Sequence, residues 1–300
     1  MAAPDPPAAS GGSPAPPPYK LVWPAEWRVP CVLSVPHSGA AIPEDARDAI
    51  NPDADIGMLE DPHLDSLSAR LQDLGLPVLT NRWSRAYCDT NRAATEWDAG
   101  MFREAVPPRL VSDSGRVRAG LGTFPRFLPP KQTVNRRRLT LAEGEARWLN
   151  GHRPYHRALS HLLLAGRARF GYVVLLDLHS MPQLPGERLP DLVLGDGFGR
   201  ACANALPQAA SRAAQATGLS VARNYPYAGG FITQHYGRPA VGLHALQLEF
   251  ARPLYMDEKS RALLPQSHLV TDTMIAIVRQ IETLAPALLR PTPSAMAGED

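Results

Sequence analysis

The sequence predicts an α/β fold with a mostly parallel or mixed central sheet flanked by helices. Three observations point there: one continuous apolar run at 172–180, strand signals alternating with helical ones, and polar side chains collecting where strands end. The chain has 300 residues, 44% of them apolar and 20% charged. That suits one large domain, because single cores stop growing near roughly 250–300 residues.

Residues 1–18 are almost wholly Ala, Pro, Gly and Ser, which bury too little side chain to offset the entropy of ordering, so they are expected to be a disordered tail. The same expectation holds for 291–300, leaving 19–290 as the domain. The first strand signal is Pro30-Cys31-Val32-Leu33-Ser34-Val35, stopped by Pro36 and followed by His37-Ser38-Gly39. Between Asp61 and Leu74, Leu64, Leu67 and Leu71 recur at helical spacing, with Asp61 before Pro62 as an N-cap precedes a first-turn proline. Pro77-Val78-Leu79-Thr80 and Ala86-Tyr87-Cys88-Asp89 read as further strands, the second running into Thr90-Asn91-Arg92. From Gly100 to Thr140 no period is sustained, so a long irregular loop is expected, a class that is often functional. Helical patterning returns from Leu141 to Phe170. The run Tyr172 to Ser180 then reads as a central strand buried on both faces, with His179 near its end. Ala201 to Gly218 is an Ala-rich helix, Ala245 to Phe250 a strand ending on Glu249, and 258–288 one or two closing helices. No internal repeat of 20–50 residues is present.

With 31 basic and 29 acidic residues, a net charge of +2 favours neither nucleic acid nor a membrane surface as a partner. Cys31, Cys88 and Cys202 are scattered and odd in number, which fits a reducing cytoplasm better than a disulfide framework. No stretch approaches the roughly 18–20 apolar residues of a membrane span. A serine elbow, HExxH and a phosphate-binding P-loop are all missing, and Gly195-Asp196-Gly197-Phe198-Gly199 matches a dinucleotide fingerprint only loosely. Two histidines at two strand ends, with carboxylates nearby, instead match a catalytic divalent site of about three N/O ligands. Zinc is the expected ion.

The blocks Val35-Pro36-His37-Ser38-Gly39, Asp89-Thr90-Asn91-Arg92, Asp177-Leu178-His179-Ser180, the glycine pair Gly229-Gly230 running to Gly237, and Leu246-Gln247-Leu248-Glu249 occur in order between about residues 28 and 260. Together they resemble the N-formylglutamate amidohydrolase family, which is similar in fold to zinc-exopeptidase enzymes and to the aspartoacylase group. The resemblance implies hydrolysis of an N-acyl amide by a water activated at one divalent ion, within amino-acid catabolism such as histidine degradation. It makes His37 and His179 metal ligands, Glu249 the general base, and Asn91 and Arg92 the pair that grips the substrate carboxylate. The third ligand is expected at Asp61, with His63 and Asp65 as alternatives and Glu44 a poorer one in its Pro-rich loop. Between Gly122 and Arg138 the chain departs from the family pattern, with Pro125-Arg126-Phe127 and the run Arg136-Arg137-Arg138. Arg126 is the arginine there expected to read a second carboxylate. His156 sits among Leu159 and Leu163 and reads as structural. Two rival functions share these residues: a zinc carboxypeptidase or amidase acting on short or cell-wall peptides, and a non-catalytic binder of acylated amino acids.

Overall fold

Val and Leu dominate residues 173–178, and a strand so apolar is stable only when both its faces are covered. The computed structural model describes residues 17–183, 186 and 189–290, and in it that stretch is the middle of the sheet. In chain order the strands are β1 Tyr19–Val22, β2 Cys31–Val35, β3 Val78–Asn81, β4 Phe127–Leu128, β5 Gln132–Thr133, β6 Val173–Met181, β7 Leu192–Gly195, β8 Val221–Arg223 and β9 Leu243–Ala251. Seven of them form one sheet in the order β1-β3-β2-β6-β9-β7-β8, while β4 and β5 make a separate small hairpin. The pairs β3-β2, β2-β6, β6-β9 and β7-β8 are parallel; β1-β3 and β9-β7 are antiparallel. The sheet is therefore mixed and mostly parallel, as the sequence predicts.

Alternation along the central strands divides the core. Val32, Val173, Leu175 and Ala245 face one way, against Tyr155, Leu159, Leu162 and Leu163 of the helix Arg153–Phe170. Leu33, Val174, Leu176 and Leu246 face the other way, against Leu206 and Ala210 of Ala205–Ala216 and Met274 and Ile277 of His268–Glu282. Each fully buried Val or Leu contributes about 1.5–3 kcal/mol, so these two layers fix the sheet. On the first face, β6 changes character along its length: Val173 and Leu175 give way to Asp177 and His179, and all four are buried. Polar groups reach this buried position only at the carboxyl ends of the strands.

Two expectations from the sequence need correction. Ala86-Tyr87-Cys88-Asp89 is buried but is not a strand. Its backbone bonds within a turn, Tyr87 to Ser84, and across to Thr123, while Tyr87 and Cys88 pack on Trp97, Phe102 and Phe124 of the irregular insertion. Apolar content there reflects loop packing, so Asn91 and Arg92 lie in a loop rather than at a strand end. The helix expected after Asp61 is one turn, Leu64–Leu67, followed by the 3-10 segment Ala69–Leu74, and its N-cap is His63 in the left-handed region. Asp61 makes no cap because its carboxylate is engaged elsewhere. The short strands β1, β7 and β8 carried too few residues to announce themselves. The expected terminal tails fall largely outside the described residues, although Pro18 already accepts a hydrogen bond from the Arg82 N–H at 2.8 Å. The insertion is irregular, as expected, with 3-10 turns, the four-residue helix Gly115–Arg118 and the β4-β5 hairpin. Cys31, Cys88 and Cys202 are buried free thiols.

Candidate active site

Strand order and register place the site. In the parallel pair β6-β9, His179 lies directly beside Glu249 and Asp177 beside Gln247; one strand over, Ser34 of β2 lies beside Asp177. The chain leaving β2 supplies His37. Gly39 lets it pass the Asn81-Arg82 backbone, where an added Cβ would come within 2.5 Å of backbone atoms. Asp61 enters from the following loop, its N–H bonded to the His37 carbonyl at 2.9 Å. One ligand atom from each of His37, Asp61 and His179 lies within 4.8 Å of the others, all three residues being buried.

The surrounding bonds leave particular atoms available. Asp61 Oδ1 accepts from Ser180 Oγ at 3.0 Å and Arg252 Nη2 at 3.2 Å. Asp61 Oδ2 faces the Nδ1 atoms of His37 and His179, at 3.5 and 3.3 Å. On the far side of the rings, His37 Nε2 donates to Asp89 at 2.8 Å, and His179 Nε2 lies 3.1 Å from the Asp177 carboxylate. The Asp89 carboxylate behind His37 favours the tautomer that leaves its Nδ1 free to bind a cation, while His179 Nε2 meets both Asp177 and, at 3.1 Å, the Asn91 amide nitrogen. Two imidazole nitrogens and one carboxylate oxygen make a donor set that can hold zinc or a similar divalent ion.

Charge agrees with this. Burial works against ionising Asp61, yet bonds from His179 and His37 hold its carboxyl well below the usual range. Asp89 is likewise opposed by burial and held well down by Arg85, Arg92 and His37. Burial would lower His179, but the flanking Asp177 and Asp61 raise it well above an ordinary imidazole. Such a concentration of buried anions around two rings is a site that attracts positive charge. Glu249 differs: burial pushes it up to about 7 against the pull of His179. Its Oε1 accepts from Gln247 Nε2 at 2.7 Å, and Gln247 Oε1 in turn accepts from the Gly230 N–H at 2.6 Å.

His37, Asp61, His179, Ser180, Gln247 and Glu249 line one cavity of about 420 Å³, together with Asn91, Arg92, Arg85, Arg116 and Arg252. Arg92 donates through Nε to the Leu121 carbonyl at 2.7 Å and through Nη1 to the Asn91 carbonyl at 2.8 Å, which leaves Nη2 without a hydrogen-bond partner among the described residues. Burial lowers Arg92 to about 10, so it stays a cation at neutral pH. Asn91 Oδ1 accepts from the Ile232 N–H at 2.8 Å, and Gly230 is required because any Cβ would lie 2.2 Å from the Asn91 amide. Two histidines hold this loop from beneath: His152 Nε2 donates to the Arg92 carbonyl at 2.8 Å and His156 Nε2 to the Thr90 carbonyl at 2.7 Å. His156 Nδ1 also lies 3.0 Å from the Tyr236 hydroxyl. Replacing His156 with alanine is expected to cost about 2–3 kcal/mol, from lost buried bonds and the void left behind. A urea unfolding midpoint unchanged from wild type would show that these bonds carry no load.

The structure thus gathers His37, Asp61, His179, Glu249, Asn91 and Arg92, and places the other candidates elsewhere. His63 Nε2 donates to the Arg261 carbonyl at 2.7 Å, while Asp65 and Glu44 are exposed. Arg126 pairs with Asp98 at 3.1 Å and lines a separate cavity with Arg136, Arg137 and Arg138, because the β4-β5 hairpin turns that segment away from the strand ends. Asp89, Asp177 and Gln247 stand in the sequence blocks without a role there, and Arg85 and Arg252 lie outside those blocks. A signal existed for Asp177, a carboxylate two residues before His179 and so on the same face of a strand. None existed for Arg252, whose partners Glu60 and Asp61 lie far away in sequence.

Comparison with known proteins agrees with the blocks in the sequence. The model of the N-formylglutamate amidohydrolase family matches residues 29–256. The N-formylglutamate deformylase of Pseudomonas putida is 34% identical over 238 residues, covering 77% of this chain and 83% of its own. That of Pseudomonas aeruginosa is 32% identical over 250 residues, covering 78% and 84%. The crystal structure of N-formylglutamate amidohydrolase from Ralstonia eutropha superposes with a TM-score of 0.82 at 33% identity, over 88% of this chain and 97% of that one. With the family model spanning most of the chain and the fold shared at this identity, the protein belongs to the N-formylglutamate amidohydrolase family.

Proposed function

We propose that the chain hydrolyses the formamide bond of N-formyl-L-glutamate, releasing formate and glutamate, with one divalent ion, zinc by its donor set, held by His37, Asp61 and His179. The observation that carries this reading is the meeting, in one cavity, of those three donors with Glu249 and with guanidinium groups in excess of carboxylates. When bound, the ion supplies Lewis acidity that polarises the formyl carbonyl and acidifies water. Glu249, buried and poised near neutrality, takes the proton of the attacking water. It then delivers that proton to the glutamate nitrogen as the C–N bond breaks. Gln247 keeps the Glu249 carboxylate aimed through their 2.7 Å bond. Arg252 and Ser180 hold Asp61 in register from its other oxygen.

Arg92 anchors the substrate's α-carboxylate through the donors its two backbone bonds leave free. An uncharged group in that position leaves a partly buried cation with only Asp89, 3.7 Å from its Nε and shared with Arg85, at a cost of about 2–5 kcal/mol. Amidating the α-carboxylate is therefore expected to lower kcat/KM by about 30-fold or more. Arg92→Lys should be nearly as harmful as removal, since lysine lacks the planar fork. The deciding assay measures formate released from N-formylglutamate beside amino acid released from dipeptides. Turnover of dipeptides alone, or equal efficiency on free-acid and amidated substrates, overturns the reading.

A further inference from the structure

The cavity carries more positive charge than one carboxylate needs. Arg85, Arg92, Arg116 and Arg252 line it, against the carboxylates of Asp61 and Glu249. Arg85 is tied to Asp89 at 2.6 Å, Arg252 to the Glu60 carbonyl and Asp61, and Arg92 to the Leu121 and Asn91 carbonyls with Asp89 3.7 Å from its Nε. Arg116 differs from all three. It is exposed on the helix Gly115–Arg118, and among the described residues its guanidinium has neither a hydrogen bond nor an ion pair. Neighbouring acids are engaged elsewhere: Asp113 pairs with Arg118 at 3.1 Å, while Glu96 accepts from Ser114 Oγ and the Ala93 N–H.

The backbone brings Arg116 and Arg92 to the same wall. Leu121 donates its N–H to the Arg116 carbonyl at 2.8 Å, and its own carbonyl accepts from Arg92 Nε at 2.7 Å. After burial, Arg116 is among the charges that depress Arg92. Asp89 lies 3.7 Å from Arg92 Nε, whereas Arg116 has no carboxylate against it among the described residues, so a second anion entering beside an α-carboxylate on Arg92 meets an unpaired guanidinium.

Resting on the reading above, that the substrate is a formylated glutamate, we infer that Arg116 binds the side-chain carboxylate and so makes the enzyme prefer an acidic over a neutral side chain. The anchor Arg126 was expected to provide is supplied by the preceding helix of the same insertion. Because Arg116 is exposed, water and salt screen the contact, and its contribution is about tenfold rather than several hundredfold.

The test is a selectivity ratio, kcat/KM for N-formylglutamate over N-formylglutamine, measured by formate release in wild type, Arg116→Gln and Arg116→Glu. Arg116→Gln should lower the ratio about tenfold, mainly through KM for the acidic substrate. Charge reversal should lower it further and improve turnover of N-formylornithine, whose side chain is cationic. A loss of fold would lower all three activities together and leave the ratio unmoved, and surface replacement at this exposed position gives no reason to expect it. Ratios equal in wild type and both variants, with turnover of N-formylglutamine unchanged and the fold therefore intact, overturn the role of Arg116. Wild-type protein that releases formate from none of these compounds overturns the underlying reading instead, a result that no variant can imitate.

Discussion

Replacing His179 with alanine is expected to lower formate release about a thousandfold or more and to weaken zinc binding at least a hundredfold in titration calorimetry. The size of the effect follows from the position of the ring. His179 supplies one of three donors, and it also separates Asp61 from Asp177, whose carboxylates lie 3.3 and 3.1 Å from its two nitrogens. Removing it subtracts a ligand and leaves two buried anions without the group that neutralises them. His179→Gln keeps a polar group in that space, and should fold with near-native ellipticity while still binding zinc poorly, which separates loss of ligation from loss of fold. Wild-type protein stripped with a chelator should lose turnover to a similar degree and regain it when zinc is restored. A chelated sample with full activity, or a His179→Ala protein with stoichiometric metal, would remove the ion from the proposal.

Much of this site could be read from sequence because its parts stand on regular elements. His179 and Glu249 sit in apolar strands, where a polar residue at a buried position is conspicuous, and parallel pairing then makes them neighbours. His37 is legible for a related reason, as the first polar side chain after β2. Groups delivered by irregular backbone were harder to place. Asp61 looked like a helix cap because local pattern ranks capping first, and only the fold reveals that Arg252, from 191 residues later in the chain, holds that carboxylate toward the histidines. Ala86 to Cys88 resembled a strand because burial against the insertion demands the same residue types as burial in a sheet. Arg126 and Arg116 illustrate the limit most plainly. Both are arginines in one aperiodic segment, and the direction of the hairpin after Leu121, which no periodicity encodes, decides which of them faces the cavity.

Glu249→Gln is expected to lower kcat by about a hundredfold or more while leaving the affinity for N-formylglutamate within about threefold of wild type. The substitution is isosteric, and the new amide can keep its Oε1 as the acceptor for Gln247 Nε2, so the link to Gly230 survives. What disappears is the lone pair able to receive a proton. Stability should not suffer, because burial penalises the carboxylate in its charged form and an amide escapes that penalty. The same variant separates the catalytic reading from that of a binder of acylated amino acids. A binder needs no proton acceptor beside its ligand, so both the affinity and any trace hydrolysis would be untouched. Catalysis through Glu249 predicts a split, with turnover lost and binding retained. A variant with wild-type kcat would transfer the base to another residue; in this cavity Asp61 is already committed to the two imidazoles, Ser180 and Arg252.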